Sequence, residues 1–272
     1  MALSNMNILS LNVGMSSSLA GLSSLLCSEN LDLIFLQEVR LNSSEIESLL
    51  PGYKCETNLD VENPSRPGTA LVWRSTVPVD NVINFFPYRI QVATLGPYFI
   101  VNVYGPSGSD KKHERENFYG QNVFNVLQLC PQKRLICGGD FNCILNPLDV
   151  EHGFGYNQKK SPALLDFVRV ARLSDAFRCL YPNKEEYTFF RQGRASSKLD
   201  RVYVTAGMEN KINNVSHVPS LSDHCGVKVQ IYLDIGFAPK QESPRKSYWK
   251  LNNAILNDES FMPCFKPFWL DL

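Results

Sequence analysis

The run Leu31 to Gln37 (LDLIFLQ), closed by Glu38, constrains the fold more than any other stretch. A half-buried strand alternates apolar and polar residues. This one is too continuously apolar for an edge strand, so it belongs inside a sheet covered on both faces. It also delivers a carboxylate at its C-terminal end. Burying an unpaired charge is costly, so Glu38 needs partners from elsewhere in the chain.

Other segments repeat this design. Asn7 to Val13 alternates like a strand and stops at Gly14, and Leu135 to Cys137 is a short apolar strand running into Gly138-Gly139-Asp140-Phe141-Asn142. Tyr53 to Leu59, Thr69 to Trp73, Val82 to Phe86, Arg89 to Leu95 and Tyr98 to Tyr104 are predicted strands, punctuated by Pro67-Gly68, Gly96-Pro97 and Gly105-Pro106. Tyr187 to Arg191 and Lys198 to Val204 look like a hairpin, followed by strands over Ile212 to Val218 and Val227 to Leu233. Helices are predicted over Leu19 to Ser28, Ser43 to Leu50, Lys111 to Cys130 and Ala163 to Leu173. A domain boundary falls near Ile235: residues 1–235 form one domain, and residues 236–272, broken by Pro239, Pro244, Pro263 and Pro267, form a linker or docking tail.

Composition narrows the chemistry by exclusion. Lys plus Arg equal Asp plus Glu at 27 each, so no global field draws the chain to a polyanion, and any such binding comes from local patches. Eight scattered cysteines without a C-x-x-C pair argue against structural zinc and for reduced thiols in a cytosolic or nuclear setting. No signal peptide is read and no stretch is long enough to span a bilayer, so no membrane partner is expected. A nucleophile-elbow serine, a G-x-x-x-x-G-K loop and a Rossmann fingerprint are all missing.

What remains is a set of polar residues at strand ends: Asn12, Glu38, Tyr104, Asp140, Asn142, Thr188, Asp200, Asp223 and His224. One alone would be a turn or capping residue. Nine suggest a single site at the lip of a sheet sandwich. Carboxylates and amides around one histidine suit a hard cation such as magnesium working on phosphate.

Six motifs occur in a fixed order: Phe35-Leu36-Gln37-Glu38, Asn102-Val103-Tyr104-Gly105-Pro106, Gly139-Asp140-Phe141-Asn142, Tyr187-Thr188-Phe189-Phe190, Lys198-Leu199-Asp200-Arg201 and Ser222-Asp223-His224. In that order they resemble the endonuclease/exonuclease/phosphatase superfamily. More closely, the chain resembles the apurinic-type endonuclease domain of LINE-type non-LTR retrotransposons, and Tyr248-Trp249-Lys250-Leu251-Asn252 is similar to the segment that follows the nuclease there.

The resemblance implies a four-layer αββα sandwich, two mixed β-sheets flanked by helices. It implies Glu38 as main metal ligand with Asn12 and Asp223 nearby, the metal being magnesium or else manganese. Asp140 would activate the attacking water, Asn142 would hold water or phosphate, and His224 would stabilise the phosphate with Asp200 fixing its tautomer. Tyr104 would donate to the phosphate or leaving group, and Thr188 would support Asp200 and His224. Asp223 is expected to face the metal rather than its neighbour His224, because adjacent side chains on an extended strand point apart.

Double-stranded DNA is the expected partner, contacted by Arg191 and Arg194 on the loop between Thr188 and Asp200, and by Ser107 and Lys198. The resemblance further implies a nick with a 3′-hydroxyl that primes reverse transcription. The reverse transcriptase and other domains of one polyprotein are partners, and element RNA is reached indirectly. The protein would act in the nucleus after cytoplasmic assembly of the ribonucleoprotein, the isolated domain being a monomer.

Three positions depart from the abasic-site repair enzymes of the superfamily. Gly14 replaces an acid, Ser107 replaces an Asn, and Ser197 replaces a Trp that walls the abasic pocket, although Phe189 keeps the other aromatic. The alternative function is that of an abasic-site DNA repair endonuclease or other phosphodiesterase of the same superfamily, and the departures at Ser107 and Ser197 weaken its abasic-repair form. A binding module that has lost catalysis is the other competing class, and retention of the nine residues argues against it.

Overall fold

The computed structural model describes residues 3–14, 23, 26, 29–108, 110–130, 134–153, 156–190 and 195–235. All of them lie within a compact unit, Met1–Pro239. The predicted tail 236–272, the loop tip with Arg191 and Arg194, and most of the helix expected over Leu19 to Ser28 lie outside the described residues.

Among the described residues, twelve strands form two six-stranded sheets. The first contains β1 (Ser4–Asn12), β2 (Leu33–Val39), β3 (Tyr53–Asn58), β4 (Gly68–Arg74), β11 (Ile212–Val218) and β12 (Gly226–Leu233), in the order β11-β12-β1-β2-β4-β3. The second contains β5 (Val79–Phe86), β6 (Ile90–Leu95), β7 (Tyr98–Tyr104), β8 (Arg134–Asp140), β9 (Leu173–Asp175) and β10 (Asp200–Thr205), in the order β5-β6-β7-β8-β10-β9. Each sheet has one parallel pair at its centre, β1 with β2 and β7 with β8, and antiparallel neighbours outside it. Both sheets are therefore mixed, and they share one pattern.

The continuous apolar run in β2 now has its reason. Leu33 and Phe35 face the core between the sheets, with Met6, Ile100, Ile136 and Val202. Ile34 and Leu36 face the opposite way, toward Ile46 of the helix Ser43–Leu49 and toward Leu26 and Leu31. On the far face of the second sheet, Phe118, Tyr119, Val123 and Phe167 from helical segments cover Val101, Val103 and Cys137. These three cores make the four layers of the αββα sandwich. Burying each such Leu, Ile or Phe contributes about 1.5–3 kcal/mol, and truncating Phe35 to Ala would cost about 3–5 kcal/mol. The sheets approach so closely at Gly138 that a Cβ there would lie 2.3 Å from Phe35 Cδ2.

The sheets are also stitched by polar groups. Gln37 Nε2 donates to Asn102 Oδ1 (2.8 Å), and Asn102 Nδ2 reaches Ala70 O (3.0 Å) across the interface. Leaving buried amide groups unpaired is costly, so although Gln37 Oε1 takes no partner, the bonds that are made favour one register of one sheet on the other.

Several predicted elements differ. The helix expected over Lys111 to Cys130 is three pieces, α over Lys112–Asn117, π over Phe118–Val123 and α over Phe124–Leu129. The wider π turn turns Phe118, Tyr119 and Val123 together onto the buried side, and Tyr119 Oη bonds Phe141 O. The hairpin of Tyr187 to Arg191 with Lys198 to Val204 is not regular. Both edges of β10 are occupied by β8 and β9, and Phe189 makes only isolated bridges, to Ser197 and to His224. The helix Pro162–Val170 starts one residue earlier than expected, capped by Ser161, and Leu173 begins β9 instead of ending the helix. Among the described residues, no helix is long and apolar enough to cross a membrane.

Candidate active site

Strand register assembles the site. At the end of the parallel pair β7 and β8, Tyr104 lies beside Asp140, and the antiparallel pairing of β8 with β10 lays Asp200 on Asp140's other side. In the first sheet, Asn12 pairs with Gln37 at the end of the β1 and β2 pair. Glu38, next along, sits where the β2 and β4 register slips, with φ +59. This bulge re-aims its side chain from the core toward the rim.

The two rims meet through Asn12. Its Nδ2 donates to Glu38 Oε1 (3.1 Å) and to Asp140 Oδ2 (2.9 Å), while its Oδ1 accepts from Gly14 N–H (2.9 Å). Tyr104 Oη donates to the same Glu38 oxygen (3.2 Å). Asn142, at φ +49, folds back so that its N–H and its Nδ2 both donate to the Asp140 carboxylate (2.9 and 3.0 Å). Nδ2 also reaches Gly105 O (3.1 Å). Thr188 Oγ1 accepts from the Leu199 and Asp200 N–H groups (3.0 and 3.1 Å), fixing the start of β10.

His224 Nδ1 and Asp200 Oδ2 are 2.8 Å apart, and the ring packs on Phe189 at 5.0 Å. Asp140, Asp200 and His224 offer atoms within 4.8 Å of one another, all three residues buried. Such crowding moves their protons. Burial, and next the charge of Asp200, push the Asp140 carboxyl up to about 7. Burial pulls His224 toward the neutral ring, but the charge and hydrogen bond of Asp200 outweigh it and raise the imidazolium to about 10. Burial and the Glu38 charge keep the Tyr104 hydroxyl protonated far above neutrality.

Two assignments made from sequence are corrected. Lys198 is fully buried, its Nζ paired with Asp175 and lying 5.5 Å from the centre of the Phe177 ring, so it cannot contact DNA. Asp223 does not point away from its neighbour. Residues 221–223 form a bend rather than a strand, alternation does not apply, and Asp223 Oδ1 lies 4.0 Å from His224 Nε2 with 43% of the side chain exposed. No hydrogen bond joins Asp223 to Glu38 or Asn12, although Ser222 Oγ donates to Asn12 O (2.9 Å) and brings that turn onto the end of β1. Ser107 stands exposed just beyond the site.

Ser222, Tyr119, Arg201 and Asp149 carry structural weight that motif reading did not assign. For Ser222, the signal was available in its serine spacing with Ser220, before the Asp-His pair. Gly14 is required sterically, since a Cβ there would meet Ser222 Cβ at 2.9 Å. Ser197, where the resemblance expected a pocket-walling Trp to be replaced, is fully buried and bridged to Val150 and Phe189.

The donor set fits a hard divalent cation. Glu38 Oε2 takes no hydrogen bond from a described residue, and Asp200 Oδ1 is buried without one, so negative oxygen is left over where oxygen-seeking metals bind. Asp140, Asp200 and His224 form a second group of atoms close enough to hold a metal ion, and the bond between His224 Nδ1 and Asp200 already ties two of them together.

The profile of the Endonuclease/Exonuclease/phosphatase family matches residues 9–224, from β1 through His224. The chain belongs to that family. A Xenopus laevis protein described as transposon TX1 uncharacterized 149 kDa protein is 27% identical over 176 residues, which are 63% of this chain and 13% of that protein. The matched segment is thus a small part of a much longer relative. Among solved structures, the AP endonuclease LMAP from Leishmania major superposes with a TM-score of 0.72 at 17% identity, covering 85% of this chain and 89% of that one. The 3'-5' exonuclease NExo from Neisseria meningitidis gives 0.71 at 21% identity, covering 83% and 99%. The family's sandwich fold is therefore shared with enzymes of different preference, and the fold does not select among their reactions.

Proposed function

We propose that this chain is a metal-dependent DNA endonuclease that nicks one strand of a duplex and leaves a 3′-hydroxyl. A reverse transcriptase of the same polyprotein would extend that end in target-primed retrotransposition. The observation that supports this most is the convergence of Asn12 and Glu38 from one sheet with Tyr104, Asp140, Asn142, Asp200 and His224 at the rim of the other. Similarity to a segment of a transposon protein supports the setting, with further domains on the same polypeptide, element RNA bound through them, and nuclear DNA as target.

Asp140, raised to about 7, exists partly ionised at neutral pH and accepts a proton from the attacking water, which Asn142 orients. His224 keeps its proton and presents Nε2 to a non-bridging phosphate oxygen as charge gathers there, Asp200 holding the opposite nitrogen. Tyr104 stays a donor throughout. Glu38 and Asn12, with the Asp223 carboxylate available at the rim, would hold a divalent cation such as magnesium, which would supply neutralisation of the phosphate and of the departing 3′-oxygen.

The abasic-repair alternative lacks support at the pocket, because Ser197 is buried and Phe189 is committed to His224. The test is magnesium-dependent nicking of supercoiled plasmid, lost in Asp140→Ala and His224→Ala, with ends that a polymerase extends directly. A parent that leaves plasmid intact, or that cuts an abasic duplex in preference to it, would refute the proposal.

A further inference from the structure

Behind the site, Arg201 lies on the opposite face of the second sheet, in a chain of paired charges with the buried Asp149 and Lys198 and the half-buried Asp175 and Arg178. Strand alternation explains the separation. Val202 and Val204 face the core between the sheets, whereas Tyr203 faces the helical layer, and Arg201 shares its side. Asp200 and Arg201 are neighbours in sequence yet serve opposite faces.

Arg201 is among the largest fully buried side chains of the protein. Its guanidinium makes three hydrogen bonds at once, besides a longer pairing of Nε with Asp175 Oδ2 (3.7 Å). Nη2 pairs with Asp149 Oδ2 (2.9 Å), and Nη1 donates to Cys143 O (2.9 Å) and Leu199 O (3.2 Å). Cys143 follows Asn142, and Leu199 precedes Asp200. Leu199 O also accepts from Phe141 N–H (3.0 Å), so the same carbonyl ties the Asp140 to Asn142 turn to the head of β10.

A buried ion pair is weak evidence of stabilisation, since apolar residues of equal volume serve stability as well. What an apolar residue cannot do is hold two carbonyls from separate segments in one plane. Asp149 is in turn immobilised: its Oδ2 accepts from Asn146 N–H (3.0 Å), its Oδ1 pairs with Arg178 (2.7 Å), and its carbonyl accepts from Lys198 N–H (2.7 Å).

We propose that Arg201, anchored by Asp149, is a positioning residue for strand cleavage, setting the distance between the Asp140 to Asn142 turn and Asp200. It touches neither substrate nor reacting atoms, and it works through the two peptide groups it clamps. The inference rests on the reading that Asp140, Asn142 and Asp200 carry the cleavage. Motion of these groups by about 1 Å costs on the order of a hundredfold in rate.

Arg201→Met keeps the volume, and Asp149 keeps Arg178 as its counter-charge, so the variant retains a route to folding. Arg201→Lys restores a charge opposite Asp149 but not the planar fork that spans both carbonyls. Plasmid nicking, Tm and substrate dependence are measured for the parent and both variants, all well below Tm.

The expected result is kcat lower by on the order of a hundredfold in Arg201→Met, with KM for DNA unchanged. In Arg201→Lys, Tm returns toward the parent while kcat stays low. Parent-like kcat in either folded variant, or kcat in Arg201→Lys recovering in step with Tm, would overturn the positioning role and leave the nuclease assignment intact. Should Arg201→Met not fold, Arg201→Lys alone decides by the same criterion. A parent without nicking activity would instead remove the reading on which this inference rests, and the inference with it.

Discussion

Replacing Asp200 with Asn preserves the side chain's size at the head of β10 but removes the charge that sets two neighbouring protons. His224 is drawn toward neutrality by burial and raised to about 10 only because Asp200's charge and hydrogen bond prevail. Without that charge, burial is left opposed only by the weaker pull of Asp140 and Asp223, and the ring titrates near or below its ordinary value. A ring titrating at its ordinary 6.5 is only about one-tenth protonated at about pH 7.5. The charge effect alone therefore costs about tenfold in nicking at that pH, and about tenfold more for each further unit of pH.

Asp140 moves in the same direction. Its rise to about 7 comes first from burial and next from Asp200, so the variant's Asp140 ionises at lower pH. Both limbs of the activity profile should slide toward acid together, and the variant should recover activity near about pH 6. The assay is the initial rate of supercoiled-plasmid nicking across the pH range at saturating metal. A bound cation lowers the acid limb in parent and variant alike, so the displacement between the two enzymes is the quantity to read. A uniform loss at every pH, with both limbs unmoved, would show that Asp200 acts through something other than its charge.

Four further outcomes are expected. Lys198→Met should lower stability by about 3 kcal/mol in urea unfolding, because Asp175 loses its closest buried partner, while the salt dependence of DNA binding stays that of the parent. Gly138→Ala should cost about 1–3 kcal/mol by overpacking against Phe35, about 2–4 °C of Tm for each kcal/mol, and Phe35→Leu should partly rescue it. Asp149 would be raised by burial, but Arg201, Lys198 and Arg178 hold its carboxyl below the usual range. A lowered carboxylate contributes stability above its unfolded value, and that stability is lost as pH falls from about 4 toward the folded value. Asp149→Asn should therefore flatten the acid side of a Tm-against-pH curve followed by circular dichroism. Glu38→Gln should raise the magnesium concentration for half-maximal nicking by more than about tenfold, and an unchanged requirement would remove Glu38 from the metal.

The site was legible in the sequence wherever a polar residue closes an apolar strand. Tyr104, Asp140 and Asp200 are of this kind, and their side-by-side register follows from pairing of the strands they end or begin. Glu38 was legible as a charge at the end of a buried run, but the bulge that turns it outward was not, since a one-residue slip leaves no compositional trace. Lys198 was misread because a lysine near a loop looks solvated, and its partner Asp175 lies 23 positions earlier on another strand. Asp223 was misread because alternation was assumed for residues that bend. The π turn at Phe118–Val123 has the length and polarity of an ordinary helix, and only Tyr119's partner, Phe141 O, explains the added width.

The pairing of β1 with β12 carries a consequence for how the protein is made. Within this domain Ser4–Asn12 is made before the other described strands, and it lies between β2 and the last of them, Gly226–Leu233, whose Leu233 sits opposite Ser4. The candidate site residues span the same interval, Asn12 to His224. A nascent chain thus holds most of the candidate site yet cannot close the first sheet until the end of the domain has emerged. Any polypeptide interrupted before β12 leaves β1 without one of its two neighbours, so the proposed cleavage would wait until the whole domain has emerged.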